Sequence, residues 1–225
     1  MFWTKNTIRN TVPVHLNAAA MAERRGFFIN MVLLIAVALG LICGYIRARL
    51  SGRQYQSIDI KLFWVVFLAY LPQLFAFYLP ATRARIPDSW IPVILISSQL
   101  LLLIFAWANR QVPGFRLLGL GLLSNFSAIL LNGGMMPLMP NIAEKLVMPG
   151  SEAQLIPGQR IGFGKDILLE KHATRLWFLG DIFLLPGCLK YPLAFSIGDI
   201  LISTGAFWLL WQLGGPRQLT REVSP

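Results

Sequence analysis

The chain has 225 residues, of which 56% are hydrophobic and only 13% are charged. Soluble domains carry about 25% charged residues, so this composition argues against a water-soluble protein. The net charge of +10 would favour nucleic-acid binding in a soluble protein. Here the basic residues flank long apolar segments, where they meet anionic lipid headgroups and set membrane topology. We therefore expect an integral membrane protein that binds no nucleic acid.

Residue types that commonly build catalytic or metal centres are scarce. The two cysteines, Cys43 and Cys188, are too few for a disulfide framework and lack zinc-type spacing. The two histidines, His15 and His172, are isolated in polar segments. No H-E-x-x-H, P-loop or G-x-S-x-G motif occurs in the chain. The sequence therefore predicts no metal site, identifies no cofactor, and favours a protein that is not an enzyme.

The N-terminal part pairs a polar, basic extension over residues 1–26 with an apolar run over residues 27–46. This run is longer than the apolar core of a signal peptide. The residues at its end, Gly44 to Arg47, offer no small-x-small cleavage site. We interpret the run as an uncleaved first transmembrane helix.

Four further segments approach the roughly 20 residues that a helix needs to cross a bilayer. They are residues 62–81, 89–108, 115–131 and 196–214. Pro72 lies in the middle of the first of these and should kink it. The sequence predicts an all-α polytopic membrane protein with about five transmembrane helices. They form a single domain over residues 27–214, followed by a polar tail over 215–225.

A long connection over residues 132–195 separates the fourth and fifth predicted helices. It opens with the turn Asn132-Gly133-Gly134, after which two prolines exclude a regular helix. Asn141 to Met148 is typical of a short amphipathic helix. The apolar segment 176–185 has only about 10 residues, too short to span a bilayer. We interpret it as either a re-entrant segment shielded by protein or a strip that lies in the membrane interface.

The basic residues of the short loops predict the orientation in the membrane. Eight of them lie in the loops after the first and third helices and in the tail: Arg47, Arg49, Arg53, Lys61, Arg110, Arg116, Arg217 and Arg221. The other side carries six, apart from the long connection. We therefore predict that the N-terminus and the 132–195 connection are extracytoplasmic in the inner (plasma) membrane of a bacterium.

Two acidic residues, Asp181 and Asp199, stand in apolar surroundings, each within a Gly-Asp-Ile triplet. An ionisable residue at membrane depth is costly and is by default a candidate functional residue. Ser196 precedes Asp199 by three residues, as in a capping box, so Asp199 is either a helix cap or a ligand contact. Asp181 is either a ligand contact or a structural anchor, which would pair with Arg175 or Lys190 or accept from amides of the Asn132-Gly133-Gly134 turn.

Polar side chains also occur within the predicted helices. Asn125 and Asn132 are seven residues apart and share one helix face, and Gln73 and Gln99 add polar groups at depth. Such residues commonly hydrogen-bond neighbouring helices. The alternative is a polar ligand pocket built from Asn125, Asn132, Gly133, Gly134, Asp181 and Asp199. A pocket of this kind suits a lipid headgroup, a quinone carbonyl or a small polar solute.

Three landmarks carry a family resemblance. A basic turn, Gly44 to Leu50, follows the first helix, and an Asn-Gly-Gly-x-Met-Pro segment, Asn132 to Pro137, follows the fourth. Two Gly-Asp pairs, at Asp181 and Asp199, precede or open the final helix. Together they resemble the uncharacterised bacterial membrane proteins of domain-of-unknown-function family 5317, over about residues 31–214. The resemblance implies a multi-helix membrane fold, no known activity and no catalytic residue.

Three functions are compatible with these features. The leading hypothesis is a non-enzymatic accessory or scaffold subunit that packs against other membrane-protein subunits and membrane lipids, because no catalytic constellation is recognisable. The alternative is a binder or transporter of a small ligand (a quinone, a lipid headgroup or a polar solute). It would use the Asn132-Gly133-Gly134 turn with Asp181 and Asp199. A membrane enzyme that uses these two carboxylates on a lipid or isoprenoid ranks third.

Overall fold

The computed structural model describes residues 14–146, 155–185 and 193–216, and most of these are helical. The helices in these ranges are α1 (Val14–Leu50), α2 (Phe63–Gln73), α3 (Pro80–Arg83), α4 (Ile91–Ala108), α5 (Phe115–Leu131), α6 (Pro140–Leu146) and α7 (Ile197–Gln212). Four three-residue strands accompany them: β1 (Met136–Leu138), β2 (Asp166–Leu168), β3 (Phe183–Leu185) and β4 (Leu193–Phe195). The helical class is confirmed, but all-α is wrong in detail because β1 pairs with β2 in parallel and β3 with β4 antiparallel.

Five helices form a bundle in the spatial order α1, α7, α5, α4, α2. Glycines allow the closest approaches. A Cβ on Gly44 of α1 would lie 2.5 Å from the carbonyl oxygen of Leu210 in α7. A Cβ on Gly121 of α5 would lie 2.5 Å from the carbonyl oxygen of Gly198, also in α7. The helix backbones are therefore in contact, as the small-residue faces of helices in membranes permit.

Two helical segments in the described ranges are long and apolar enough to cross a membrane, Val32–Leu50 and Asp88–Ala108. The apolar helices Phe63–Tyr78 and Phe115–Leu131 are shorter, as is the 16-residue α7. At 1.5 Å per residue, 16 or 17 residues cover only about 25 Å of a hydrocarbon core about 30 Å thick. The predicted count of five transmembrane helices is therefore not supported.

Pro72 marks the place where the second predicted span loses regular geometry. α2 continues beyond it as a π-helix, Leu74–Tyr78, closed by a hydrogen bond of 3.1 Å from the Leu79 amide to the Leu74 carbonyl. Proline lacks the amide of a regular turn, and local widening of the helix is one way to accommodate it. The helical segment ends at Tyr78, because Leu79 is extended before Pro80, so the predicted span 62–81 is shortened to Phe63–Tyr78.

The long connection folds as a cap on one end of the bundle. Its core combines α6 with residues of three strands: Leu138, Ile142, Ala143, Leu146, Leu168 and Ala194. The predicted amphipathic helix is present as α6, which begins at Pro140 instead of Asn141; residues 147 and 148 lie outside the described residues. The apolar segment 176–185 forms a 3₁₀ turn and β3. Trp177 and Phe178 are exposed, whereas Leu179 packs against the core at this end of the bundle and Asp181 is buried.

The opposite end of the bundle gathers the short loops. The Asn109 side chain accepts a hydrogen bond from the Lys61 amide and donates one to the Lys61 carbonyl, both 2.9 Å. The Gln56 backbone amide donates to the carbonyl of Leu213 at 3.0 Å.

The predicted polar extension over residues 1–26 is helical in part. Residues 14–26 form the first turns of α1, and residues 1–13 lie outside the described residues.

Two glycines of α5 give a matched test of the close packing between helices. Gly121→Ala should lower the free energy of unfolding by about 1–3 kcal/mol, as expected for overpacking, because the new Cβ would meet the α7 backbone. Gly119→Ala should be neutral or slightly stabilising, because its Cβ would lie 3.5 Å from the Ala106 Cβ, an ordinary contact. Thermal unfolding of the detergent-purified variants measures both. Equal effects of the two substitutions would contradict the packing.

Candidate functional site: a cavity beneath the cap

A partly open cavity of about 350 Å³ lies between helices of the bundle, next to the cap. Most of its walls are apolar or aromatic side chains of α1, α2, α4, α5 and α7. A few polar side chains converge on it: Gln73, Gln99, Asn125, Lys165, Asp166 and Asp199. A mostly apolar cavity of a few hundred Å³ with a small number of polar groups is the usual form of a small-molecule site.

Asp199 both caps α7 and lines the cavity. The predicted capping box is present: the Ser196 hydroxyl accepts from the Asp199 amide at 3.1 Å, and the Asp199 Oδ2 accepts from the Ser196 amide at 2.9 Å. The Asp199 Oδ1 accepts from the Asn125 Nδ2 at 2.9 Å. Both carboxylate oxygens therefore have donors. Asp199 lines the cavity in addition to its role as a cap.

Asn125 is held by the same network. Its Oδ1 lies 2.9 Å from the Ser196 hydroxyl, and it packs directly on Gly198, where any Cβ would collide with the amide. Asn125 is buried and lines the cavity. The α5–α7 contact thus places one amide and one carboxylate side by side at the cavity wall.

Asp181 is buried, with 1% of its surface exposed, and it meets a lysine that the sequence analysis did not identify. The Lys165 Nζ donates to the Asp181 Oδ2 at 2.9 Å and lies 3.5 Å from the Asp166 Oδ1. The predicted partner Arg175 instead contacts Asn132 through its backbone, and Lys190 lies outside the described residues. Asp181 does not itself line the cavity and reaches it through Lys165.

The cluster holds one ammonium group and three carboxylates. Burial raises the pKa of the Asp181 carboxyl, Lys165 lowers it, and Asp166 and Asp199 raise it further, which leaves the pKa at about 7. Burial lowers the pKa of Lys165, but Asp181, Asp166 and Asp199 together more than offset this, and the pKa lies above its usual range. Lys165 is therefore a permanent cation, while Asp181 is the group that exchanges a proton near neutral pH.

Asn132 and the two glycines after it form a structural joint away from the cavity. The Oδ1 of the Asn132 side chain accepts from the Arg175 backbone amide at 2.9 Å, and its Nδ2 donates to the Arg175 carbonyl at 2.8 Å. The Gly134 amide donates to the Ile129 carbonyl at 2.8 Å, and Gly134, with φ of +81°, packs against Pro92. Gly133 faces open space. This turn ends α5 and fastens the cap to it.

The structure thus separates the six residues predicted to form one site. Asn125 and Asp199 line the cavity, Asp181 supports it through Lys165, and Asn132, Gly133 and Gly134 do not line it. Reasoning from sequence missed Lys165, Asp166 and the aromatic wall of Tyr70, Phe77 and Tyr78. The one sequence signal for the first two was an adjacent Lys-Asp pair immediately before an apolar strand.

The raised pKa of Asp181 predicts a pH-dependent stability. Between an ordinary carboxyl pKa near 3.9 and about 7, the folded state retains a proton that the unfolded chain releases. Stability should therefore fall as pH rises across this window and level off above it. In Asp181→Asn that fall should be absent, as measured by thermal unfolding at a series of pH values. The exposed Glu144→Gln serves as the control; an unchanged pH profile in Asp181→Asn would contradict the assignment.

Comparison with known proteins places the chain in a family. Residues 57–211, well over half of the chain, match the model of DUF5317, a family of unknown function. The match includes α2, α4, α5, the cap and nearly all of α7, and begins after the basic turn Gly44 to Leu50. No curated protein and no solved structure matches the chain. The chain belongs to DUF5317, as the resemblance in its sequence motifs predicted.

Proposed function

We propose that this protein is an integral membrane protein that binds a small amphiphilic molecule in the cavity beneath the cap. The observation that carries the proposal is the cavity of about 350 Å³, with mostly apolar walls and one group of polar side chains. An apolar wall favours the hydrocarbon part of a ligand, and the convergent polar groups fix its polar end. A quinone, a lipid headgroup with part of its chain, and a polar solute with an apolar body all have this character.

The distribution of side chains supports the membrane location. The outward faces of the bundle carry large exposed apolar residues, among them Leu34, Ile42, Trp64, Phe67, Ile104 and Trp107. Polar residues such as Ser98, Asn125 and Ser203 are buried inside. An apolar exterior around a partly polar interior suits a lipid solvent. In this proposal the two long helical segments cross the bilayer, and α2, α5 and α7 complete a multi-pass bundle.

For the orientation in the membrane we keep the proposal that the basic residues suggest. The loops that carry Arg53, Lys61 and Arg110 meet at the end of the bundle opposite the cap. We place this basic end in the cytoplasm and the cap on the extracytoplasmic side of a bacterial inner membrane. The ligand then enters from the outer leaflet or from the cap side.

The scaffold hypothesis rests on the same exposed apolar faces, which either lipids or partner helices would cover. It gives no role to a cavity whose polar groups converge, and for that reason we place ligand binding first. An accessory subunit that also carries a bound amphiphile is compatible with both.

Filling the cavity provides the test. Leu102 lines the cavity, whereas Ile104 on the same helix is 54% exposed and faces away. Protein purified in mild detergent should carry a near-stoichiometric small molecule, identified by mass spectrometry of an organic extract. Leu102→Trp should reduce this amount at least about tenfold, because the indole occupies the volume that the ligand needs, and Ile104→Trp should retain it.

Val66→Phe, on α2, fills the same cavity from another helix. It provides a second test in case Leu102→Trp fails to fold. All variants should elute as monodisperse proteins. If wild type and both cavity variants carry the same lipids in the same amounts, only annular lipid is bound and the proposal is wrong.

A further inference from the structure

Gln99, near the middle of α4, lines the cavity, and its Oε1 is fully buried without a hydrogen-bond partner among the described residues. A buried acceptor without a donor is unfavourable, and native proteins rarely leave one. An amide oxygen only accepts, so the Gln99 Oε1 cannot be satisfied by donating to a carbonyl of its own helix. Because Gln99 lines the cavity, its Oε1 is an acceptor that a donor on a bound molecule can pair with.

The position of Gln99 is deeper than the charged cluster. Lys165 lies at the cap end, where its carbonyl accepts from the Met136 amide at 3.0 Å, and Met136 packs in one core cluster with Leu95. Gln99 follows Leu95 by one helical turn toward the centre of the bundle. A ligand that pairs with Gln99 thus presents a hydrogen-bond donor deeper in the bundle than the charged cluster.

The walls next to this acceptor include three aromatic side chains. Tyr70, Phe77 and Tyr78, from α2 and its π-helical extension, all line the cavity. The rings of Tyr70 and Tyr78 lie 6.0 Å apart, centroid to centroid, and are inclined by 38°. Aromatic side chains favour flat aromatic partners in offset or inclined contact. The wall therefore selects a planar ring over a branched aliphatic group.

We infer that the ligand is a phenol-type amphiphile: an aromatic ring whose hydroxyl donates to the Gln99 Oε1, with an apolar chain along the remaining wall. The inference rests on the proposed function and specifies the ligand class for the same cavity. A hydroquinone belongs to this class. A quinone without hydroxyl groups, or a lipid that offers only ester and phosphate acceptors to Gln99, does not.

Two probes of nearly equal shape test the hydroxyl. 4-Hexylphenol and 4-hexylanisole differ by methylation of the oxygen, which removes the donor. Calorimetric titration of the full chain in lipid nanodiscs, corrected for partition into empty nanodiscs, should give at least about tenfold tighter binding of the phenol. A third probe, 4-hexylcyclohexanol, retains the hydroxyl without the aromatic ring and should bind less tightly than the phenol.

Gln99→Met removes the acceptor and keeps a similar volume. In this variant the ratio of the two dissociation constants, ether over phenol, should fall to about one, while the affinity for the ether stays unchanged. Because the variant no longer buries an unpaired acceptor, its ligand-free melting temperature should equal or exceed that of wild type. Gln99→Leu is a second variant in case the first fails to fold, and the exposed Gln111→Met should keep the wild-type preference.

The outcomes separate the two proposals. If none of the probes binds saturably to wild type, the proposed function fails with the inference. If phenol and ether bind equally to wild type, or if Gln99→Met keeps the preference, the donor to Gln99 is refuted while ligand binding stands. If the cyclohexanol binds as tightly as the phenol, the aromatic ring is not selected and the inference is overturned in that part.

Discussion

The buried ion pair between Lys165 and Asp181 is the contact on which the site depends. Its two residues belong to different parts of the cap, one before β2 and the other before β3. Loss of one partner from such a pair leaves an uncompensated buried charge and typically costs about 3–5 kcal/mol. Because Asp166 and Asp199 act on the same lysine, the pair also couples the cap electrostatically to the first turn of α7. The contact thereby joins two parts of the cap at the cavity wall.

Close contact between α5 and α7 supplies the other half of the arrangement. Without side chains at Gly121 and Gly198 the two backbones meet, and the Asn125 amide lies against α7. The capping box then has a third member, because Asn125 donates to the carboxylate that caps the helix. A helix start is normally solvated or capped locally. Here it is capped locally by Ser196 and Asp199 and also lies at a cavity wall, where Asn125 of the neighbouring helix contacts both cap residues.

Sequence reasoning succeeded where one local rule decides the structure. Ser196 and Asp199 are three residues apart before an apolar run, and that spacing alone specifies a capping box. Pro72 has no backbone N–H to donate, so irregular helix geometry near it could be predicted from the sequence. The apolar runs located the five main helices, but hydropathy does not fix where a helix ends. The π-helix after Gln73 and the end of α7 at Gln212 shortened two of them.

Such local rules could not predict the cap or the charged cluster. β1 and β2 have three residues each and pair in parallel across a long stretch of chain, which leaves no periodic pattern to recognise. The partner of Asp181 was sought among Arg175 and Lys190 because they are near in sequence, yet Lys165 is 16 residues away. Asn132 was assigned to a ligand pocket because it shares a face with Asn125. Tertiary contact with the Arg175 backbone gave it a structural role instead.

If the cavity beneath the cap is a ligand site, and not a packing defect filled by solvent, a bound molecule should be visible in it. The decisive measurement is a density map of the protein in nanodiscs made from its native membrane, at a resolution that shows side chains. We expect one continuous, elongated density in the cavity, in contact with Gln99 and separate from the annular lipids, with Lys165 and Asp181 still paired. Isolated water peaks on the polar side chains, or a cavity closed by rearranged side chains, would contradict it.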